Sequence, residues 1–555
     1  MSQYTIGLDF GSLSGRGILA DVSDGAIIAQ AVCDYPHGVM NDHLPDGTVI
    51  PQGWALQDPK DYLLVLDTVI PALLKKSRIP PESIIGIGID FTASTVLAVD
   101  KRNTPLCSFP EYAGRLHAYA KLWKHHGAQS EADQIEILAA KRKASFLSKY
   151  GGKISSECML AKILQTYHED PELYRATDHF VEAGDWISSL LSGREIRSSS
   201  IASCKMMWDK DAGYPSPSLL AELEPELAYL EKKLIGTMGT PIYASPWEKA
   251  GMLSDEMARR LGLCPGIAVT APQMDGYAAL PATGATAPGQ MLMMAGTSTA
   301  MLLLSQNEMC VPGVCAGVRD SGLPGYFCYA AGQASVGDCF QWFADNCVPA
   351  SYTAMATKSN LNAHQYLTRL ASEMSPGETG LIALDWWNGN KSCLVDANLS
   401  GLILGLTLQT KPEHIYRTLL EATAFGANMI IRNYEAHGIS VDSITACGGI
   451  AEKNSLLMQI YADVLEKPVY VNHCKQTAAL GSAIFAAAAA GKSAGGWSSI
   501  FDAVEAMADR RITPYLPCEK HSQTYRKLMD EYVLLHDYFG RHGNDVMKRL
   551  RSLLK

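Results

Sequence analysis

Two stretches of this 555-residue chain are built alike, and their recurrence limits the fold more than any other feature. The first, TIGLDFGSLSGRGILADV over residues 5 to 22, is an apolar run that ends on an acid, turns on glycine and serine, and resumes as an apolar run. The second, GQMLMMAGTSTAMLLLS over residues 289 to 305, has the same order, with AGTST standing where DFGSLS stood. Apolar runs joined by a short Gly-Ser/Thr turn read as β-hairpins. One such hairpin is ordinary, but one opening each half of a long chain predicts two related α/β domains. Length agrees, since 555 residues exceed what one compact core serves.

The segments between them supply the rest of each α/β unit. AIIAQAVCDY continues the first hairpin as a third strand, DPKDYLLVLDTVIPALLKK is a helix led by Asp58-Pro59, and SIIGIGIDF is an apolar strand of the kind buried on both faces. Antiparallel hairpins joined to parallel α/β units follow. Between about 110 and 250 the chain turns aromatic, charged and irregular, and reads as an insertion shaping a ligand pocket. In the second half a long helix has Pro412 near its start and Gly438 beyond its end, SITACGG runs as a strand into a Gly-Gly loop, and a further helix starts at Asn454, which can cap it. The alanine-rich TAALGSAIFAAAAAGKSAGG is short of the roughly 20 residues a membrane span needs and reads as a buried helix. It can face a core or a partner, so a homodimer stays open.

Composition narrows the partners. With 47% apolar and 19% charged residues the chain can bury a sizeable core, and a net charge of -10 argues against a non-specific nucleic-acid or acidic-membrane binder. The 14 cysteines are scattered without a Cys-x-x-Cys or Cys/His cluster, so they read as reduced thiols of a cytoplasmic protein. MSQYTIGLDF lacks the basic and apolar regions of a secretory signal.

Small residues let backbone N–H groups approach an anion, and hydroxyls add donors, so the turns from Gly11 to Ser14 and from Gly296 to Thr299 suit a polyphosphate. Gly448 and Gly449 in CGGIAEKN serve either packing or the approach of a nucleobase or phosphate. AAAAAGKS is no Walker A loop, because Ala486 stands at its first glycine, and GIGIDF is no dinucleotide fingerprint, because Phe91 stands at its third. Asp9 ends a strand beside a phosphate turn, where a carboxylate repels phosphate unless a divalent cation such as Mg²⁺ intervenes. Asp275 is either a helix N-cap or a base positioned to take a proton from an attacking hydroxyl. Lys205 can reach a substrate oxygen or snorkel to water. His125-His126 lack the spacing of a metal pair and read as pocket or surface residues, and Trp386-Trp387 as core or interface aromatics.

These motifs resemble those of the FGGY carbohydrate kinases, relatives of the actin and sugar-kinase ATPase fold. IGLDFGSLSGR resembles the family's first phosphate motif, GWALQDP (53 to 59) its early signature, AGTST its second phosphate motif and ACGGIAEKN its adenosine motif. GIDFTASTVLAVD, HAYAKLWKHHGAQSEAD, LDWWNGNKS and DANLSGLILGLTLQTKPEHIYRTLLEATAFG are similar to its L-ribulose-phosphorylating branch. The resemblance implies two ribonuclease H-like (actin-like ATPase) domains around a central cleft, 1–284 for sugar binding and catalysis and 285–555 for nucleotide. It implies transfer of the γ-phosphoryl of ATP, with Mg²⁺, to the 5-hydroxyl of L-ribulose, giving ADP and L-ribulose 5-phosphate in L-arabinose catabolism. Asp275 is then the base, Asp9 lies near magnesium, and Gly11, Ser12, Ser14, Gly296 and Thr297 contact phosphate. Gly448, Gly449 and Asn454 contact the nucleotide, and Ala93 and Lys205 the sugar, while Arg16 fits the first motif.

Three positions depart from the pattern: Leu13 where relatives often carry a polar residue, Leu56 for the glutamate of GWxEQDP, and Ala330 for a glutamate that helps hold the sugar. Losing an acid that binds a hydroxyl broadens sugar selection, so D-ribulose, ribitol and xylulose stay open as substrates. A nucleotide-switched ATPase of the same fold that phosphorylates no sugar is the remaining alternative.

Overall fold

The computed structural model describes residues 2–237, 239–314, 316–541 and 543–553. The chain forms two compact units, one of residues 1–284, 318–327 and 476–509, the other of 285–317, 328–475 and 510–555.

The first unit is built on a seven-stranded sheet whose order is Lys249–Met252, Ala268–Thr270, Ile84–Phe91, Tyr4–Phe10, Ser14–Asp21 and Ile27–Asp34, with Gln273–Met274 also paired to Ile84–Phe91. Tyr4–Phe10, Ser14–Asp21 and Ile27–Asp34 are antiparallel, whereas Tyr4–Phe10 runs parallel to Ile84–Phe91. Every residue of Ile84–Phe91 is buried, as its unbroken apolar run requires. Helix Pro59–Ser77 starts where Asp58 accepts the Lys60 N–H and proline occupies the first turn. It buries Tyr62, Val65, Leu66, Val69, Ile70 and Leu73, one face at helical spacing, and each aliphatic among them contributes about 1.5–3 kcal/mol when fully buried.

The second unit repeats this plan. Its sheet includes, in order, Ile512–Tyr515, Val469–Asn472, Ser443–Cys447, Gln290–Ala295, Thr299–Ser305 and Phe327–Gln333. Again a hairpin, Gln290–Ala295 with Thr299–Ser305, lies beside a parallel neighbour, Ser443–Cys447, and an antiparallel strand closes the far edge. Helix Pro412–Ala436 and the Asn454-capped helix Ser455–Leu465 fall where proline and asparagine placed them.

Two regions differ from the sequence reading. The stretch 476–509, read with the second half, packs in the first unit: helix Thr477–Ala490 lies on its sheet, and Thr5 Oγ1 donates to the Ala483 carbonyl at 2.9 Å. A Cβ on Gly7 would overlap the Ala479 carbonyl, one on Gly88 that of Ser482, and one on Gly481 that of Ala278. The glycines of IGLDF and GIGID therefore admit a helix backbone at close range. The alanine-rich helix faces this core. The insertion, expected to be irregular, has helices Gln129–Arg142 and Met159–Glu169 and adds Ala120–Lys121 and His179–Glu182 to Leu56–Gln57 and Val96–Val99 in a four-stranded sheet. Its own core gathers Trp54, Ile135, Leu160, Ile163, Leu173 and Phe180, and His125, expected in a pocket or at the surface, is fully buried beside it. Among the described residues no helix is long and apolar enough to cross a membrane.

Candidate active site

In the first unit the Gly11–Ser14 turn closes where the Gly11 N–H donates to the Ser14 carbonyl at 3.0 Å. Ser12 is held twice: Gln57 Nε2 donates to its carbonyl at 2.7 Å, and Trp123 Nε1 donates to its Oγ at 3.0 Å. Tyr62 O–H donates to Gln57 Oε1 at 2.6 Å and thereby orients the amide. Because Ser12 Oγ accepts from the indole, its own proton remains available to donate, as a phosphate contact requires.

Beside this turn Asp9 and Asp90 stand side by side in the register of parallel strands. Burial pushes the Asp9 carboxyl up, and Arg16, whose Nε lies 3.4 Å from Asp9 Oδ2, opposes the rise. Asp90 is pushed well above the carboxylate range, first by complete burial, then by the charge of Asp9; that of Asp275 also reaches it. Ser482 Oγ donates to Asp90 Oδ2 at 2.7 Å, and the Asp90 carboxyl also hydrogen-bonds that of Asp9. Asp9 and Asp90 thus set two carboxyls side by side, a pair of hard-oxygen donors with the Arg16 guanidinium beside Asp9. That donor set fits Mg²⁺, which takes one or two carboxylates and completes its shell with water and phosphate oxygens. Asp9 and Asp90 are the residues that would hold it. No group of three or more His, Cys, Asp or Glu able to hold a metal is present among the described residues.

Asp275 opens helix Asp275–Thr283 as its first residue, the N-cap being Met274 without a side-chain cap, so the helix-cap reading does not apply. Its Oδ1 accepts the Gly276 N–H at 2.7 Å. Lys205 ends helix Ser199–Lys205, with Nζ 2.9 Å from Glu157 Oε2. Ser200 on that helix donates to Gln273 Oε1 at 2.8 Å, which ties the helix to the strand just before Asp275. Ala93 is half-buried in the bend that joins Ile84–Phe91 to Val96–Val99.

In the second unit the Gly296 N–H donates to Ser298 O at 3.0 Å, and Thr297 is exposed. The Gly337 N–H donates to Gly296 O at 3.1 Å and that of Val336 to Thr297 O at 2.8 Å. Gly448 has φ +100, and a Cβ there would lie 2.6 Å from the Ala295 carbonyl, so this glycine serves packing. Gly449 is its opposite: exposed, with nothing within 4 Å of an added Cβ. Asn454 Oδ1 accepts the Leu457 N–H at 3.0 Å as a cap, and its Nδ2 donates to Thr368 Oγ1 at 3.4 Å. Its side chain is committed within the protein. Ala330 is half-buried on Phe327–Gln333.

Residues 4–281 match the N-terminal domain of the FGGY family of carbohydrate kinases, and residues 291–490 its C-terminal domain. The chain belongs to this family. As a member it is an ATP-dependent sugar kinase, and Mg²⁺ is the ion such kinases usually employ. The kinase is 49% identical over 555 residues, 100% of this chain and 98% of the relative, to a protein named ribulokinase from Shouchella clausii. It is 48% identical over 551 residues, 99% of this chain and 97% of the relative, to a ribulokinase of Geobacillus thermodenitrificans. The solved xylulose kinase of Rhodospirillum rubrum superposes with a TM-score of 0.77 at 23% identity, covering 96% of this kinase and 98% of that chain. The gluconate kinase of Lactobacillus acidophilus gives 0.79 at 18%, covering 98% and 99%; at such identities the likeness shows the shared fold alone. A groove of about 770 Å³ lined by residues including Asp100, Arg175, Asp178 and Lys233 lies elsewhere in the first unit, and none of the candidate residues lines it.

Sequence reasoning missed Asp90, Gln57 and Glu157. A signal for Asp90 was present: Gly-Leu-Asp-Phe and Gly-Ile-Asp-Phe end two strands in the same way, and the strands are neighbours.

Proposed function

We propose that this kinase transfers the γ-phosphoryl of ATP to the 5-hydroxyl of L-ribulose, releasing ADP and L-ribulose 5-phosphate, as a step of L-arabinose use. The observation that carries the substrate is identity of 48–49% over essentially the whole chain to relatives named ribulokinase. Mg²⁺ would neutralise phosphate charge beside Asp9 and Asp90. The chain's own residues do the positioning, which together with charge stabilisation supplies most of the acceleration in phosphoryl transfer. Ser12, fixed by Gln57 and Trp123, presents its hydroxyl proton to phosphate along with Gly11 and Ser14. Asp275 accepts the proton of the attacking hydroxyl, while Ala93 and Lys205 hold the sugar. Gly296, Thr297 and the open backbone at Gly449 receive the nucleotide; Gly448 shapes that backbone, and Asn454 sets the helix behind it.

The division of labour between 1–284 and 285–555 belongs to this proposal, as do two further points. Cys107, Cys158 and Cys204 are buried as free thiols, which supports a reducing, cytoplasmic setting. Leu404, Leu406 and Leu408, exposed in an uncharged run, support a homodimer. Ala330, which lacks a carboxylate, favours a second reading in which another pentulose or pentitol is accepted.

ADP release measured with L-ribulose, D-ribulose, ribitol, xylulose and no sugar tests the proposal. The expected result is the highest kcat/KM for L-ribulose and negligible release without sugar. Sugar-independent hydrolysis would instead identify a nucleotide-switched ATPase.

A further inference from the structure

Behind the Ala93 bend lies a lysine almost closed off from water. Lys162, on helix Met159–Glu169, is 1% exposed. Its Nζ donates to three backbone carbonyls, those of Ser94, of Leu122 at 2.9 Å and of Lys121 at 3.4 Å. An ammonium carries three N–H donors, so each has an acceptor. Two of those acceptors lie at the end of the Ala120–Lys121 strand, and the third lies in the bend itself.

That bend needs holding. Ser94 has φ +63, a left-handed conformation that a non-glycine residue keeps only when its surroundings impose it. Thr95 Oγ1 secures it from within, donating to the Thr92 carbonyl at 2.7 Å. Lys162 grips the Ser94 carbonyl from the opposite element. Burial pulls the Lys162 ammonium down to about 8, and the charges of Glu182 and Glu157 oppose this while Lys205 adds to it, so near neutrality all three donors are present. Glu182 lies opposite Val96, two residues after Ser94, and Glu157 is the ion-pair partner of Lys205. Lys162 is therefore linked to both parts of the sugar site, the Ala93 bend by hydrogen bond and the Lys205–Glu157 pair by charge. A chain that needed only a filled core would place an apolar residue there, because burying an ammonium is costly.

We propose that Lys162 is a positioning residue of the sugar site, whose ammonium fixes the Ser94 carbonyl and with it the Ala93 bend. The inference rests on the reading that Ala93 contacts the sugar. The test uses the full-length protein and compares Lys162→Met, Lys162→Arg and Ala93→Val, with KM for L-ribulose and for ATP measured separately beside a thermal melt. Lys162→Met and Ala93→Val should each raise the L-ribulose KM at least about tenfold and leave the ATP KM within about twofold. Lys162→Arg, which keeps charge and donors, should recover part of the loss. An unchanged L-ribulose KM in Lys162→Met while Ala93→Val raises it would overturn the role of Lys162 alone. An unchanged KM in Ala93→Val would instead overturn the sugar-site reading, and the inference with it. Equal rises for sugar and ATP in Lys162→Met would show a merely structural lysine. Should Lys162→Met not fold, Lys162→Arg decides: a rise of about threefold confined to the sugar supports the role, and no rise or an equal one refutes it.

Discussion

Replacing Gly449 by alanine should weaken ATP binding without weakening the fold. Gly449 is the first residue of helix Gly449–Lys453, and an added Cβ meets nothing within 4 Å. Alanine is favoured over glycine in a helix by up to about 1 kcal/mol, so stability should hold or rise slightly. The methyl would occupy the face assigned to the nucleotide and lift it off the backbone by about one contact distance. Losing one hydrogen bond to a charged group costs about 1.5–3 kcal/mol, which corresponds to a rise of roughly 10- to 150-fold in the ATP KM. Gly448→Ala provides the contrast. With φ +100 and a Cβ 2.6 Å from the Ala295 carbonyl, it should lose on the order of 2–3 kcal/mol of stability. The assay is ADP release at saturating L-ribulose with ATP varied, paired with urea unfolding of each variant. A Gly449→Ala enzyme with the parent's ATP KM would refute the nucleotide face.

Gly481→Ala should destabilise the first unit by at least about 1–3 kcal/mol in urea unfolding, because its methyl overlaps the Ala278 carbonyl; an unchanged midpoint would contradict the close helix approach. Acid should destabilise the kinase through His125 and His117. The Ala55 N–H donates to His125 Nδ1 at 3.4 Å and Nε2 lies 2.9 Å from Gln165 Oε1, which keeps the ring neutral. Burial, then the charge of Lys121, pulls His125 down to about 2 and His117 to about 4. Below the unfolded value of about 6.5 the unfolded chain binds protons that the folded chain refuses, so stability present above 6.5 is lost as pH falls, by up to about 1.4 kcal/mol per pH unit per ring. His125→Gln should flatten the fall in urea midpoint between about pH 6.5 and 5, and an unaltered slope would remove His125 from the effect.

What could be read from the residues alone was what local chemistry decides. The paired hairpins, the Asp58-Pro59 and Asn454 helix starts, the buried Ile84–Phe91 strand and the lack of a dinucleotide loop at GIGIDF each follow from a few neighbouring residues. Family membership was legible too, because its motifs are long. The return of 476–509 to the first unit was not, since a small-residue helix declares neither its partner nor its approach, and only the Gly7, Gly88 and Gly481 contacts reveal them. Lys162 was illegible for the same reason: in MLAKILQTY it looks like a solvated helix lysine, and its three carbonyls come from segments about 40 to 70 residues away. The two glycines of ACGG could not be told apart either, because backbone φ and the nearness of Ala295 separate them, not their identity.

The most direct test of phosphoryl transfer with Asp275 as the proton acceptor is turnover by Asp275→Asn at saturating L-ribulose and Mg-ATP, with L-ribulose affinity measured in parallel by calorimetry. Loss of a general base predicts a fall in kcat of about 10²- to 10⁴-fold with sugar affinity within a few-fold of the parent. Turnover near that of the parent would contradict the account.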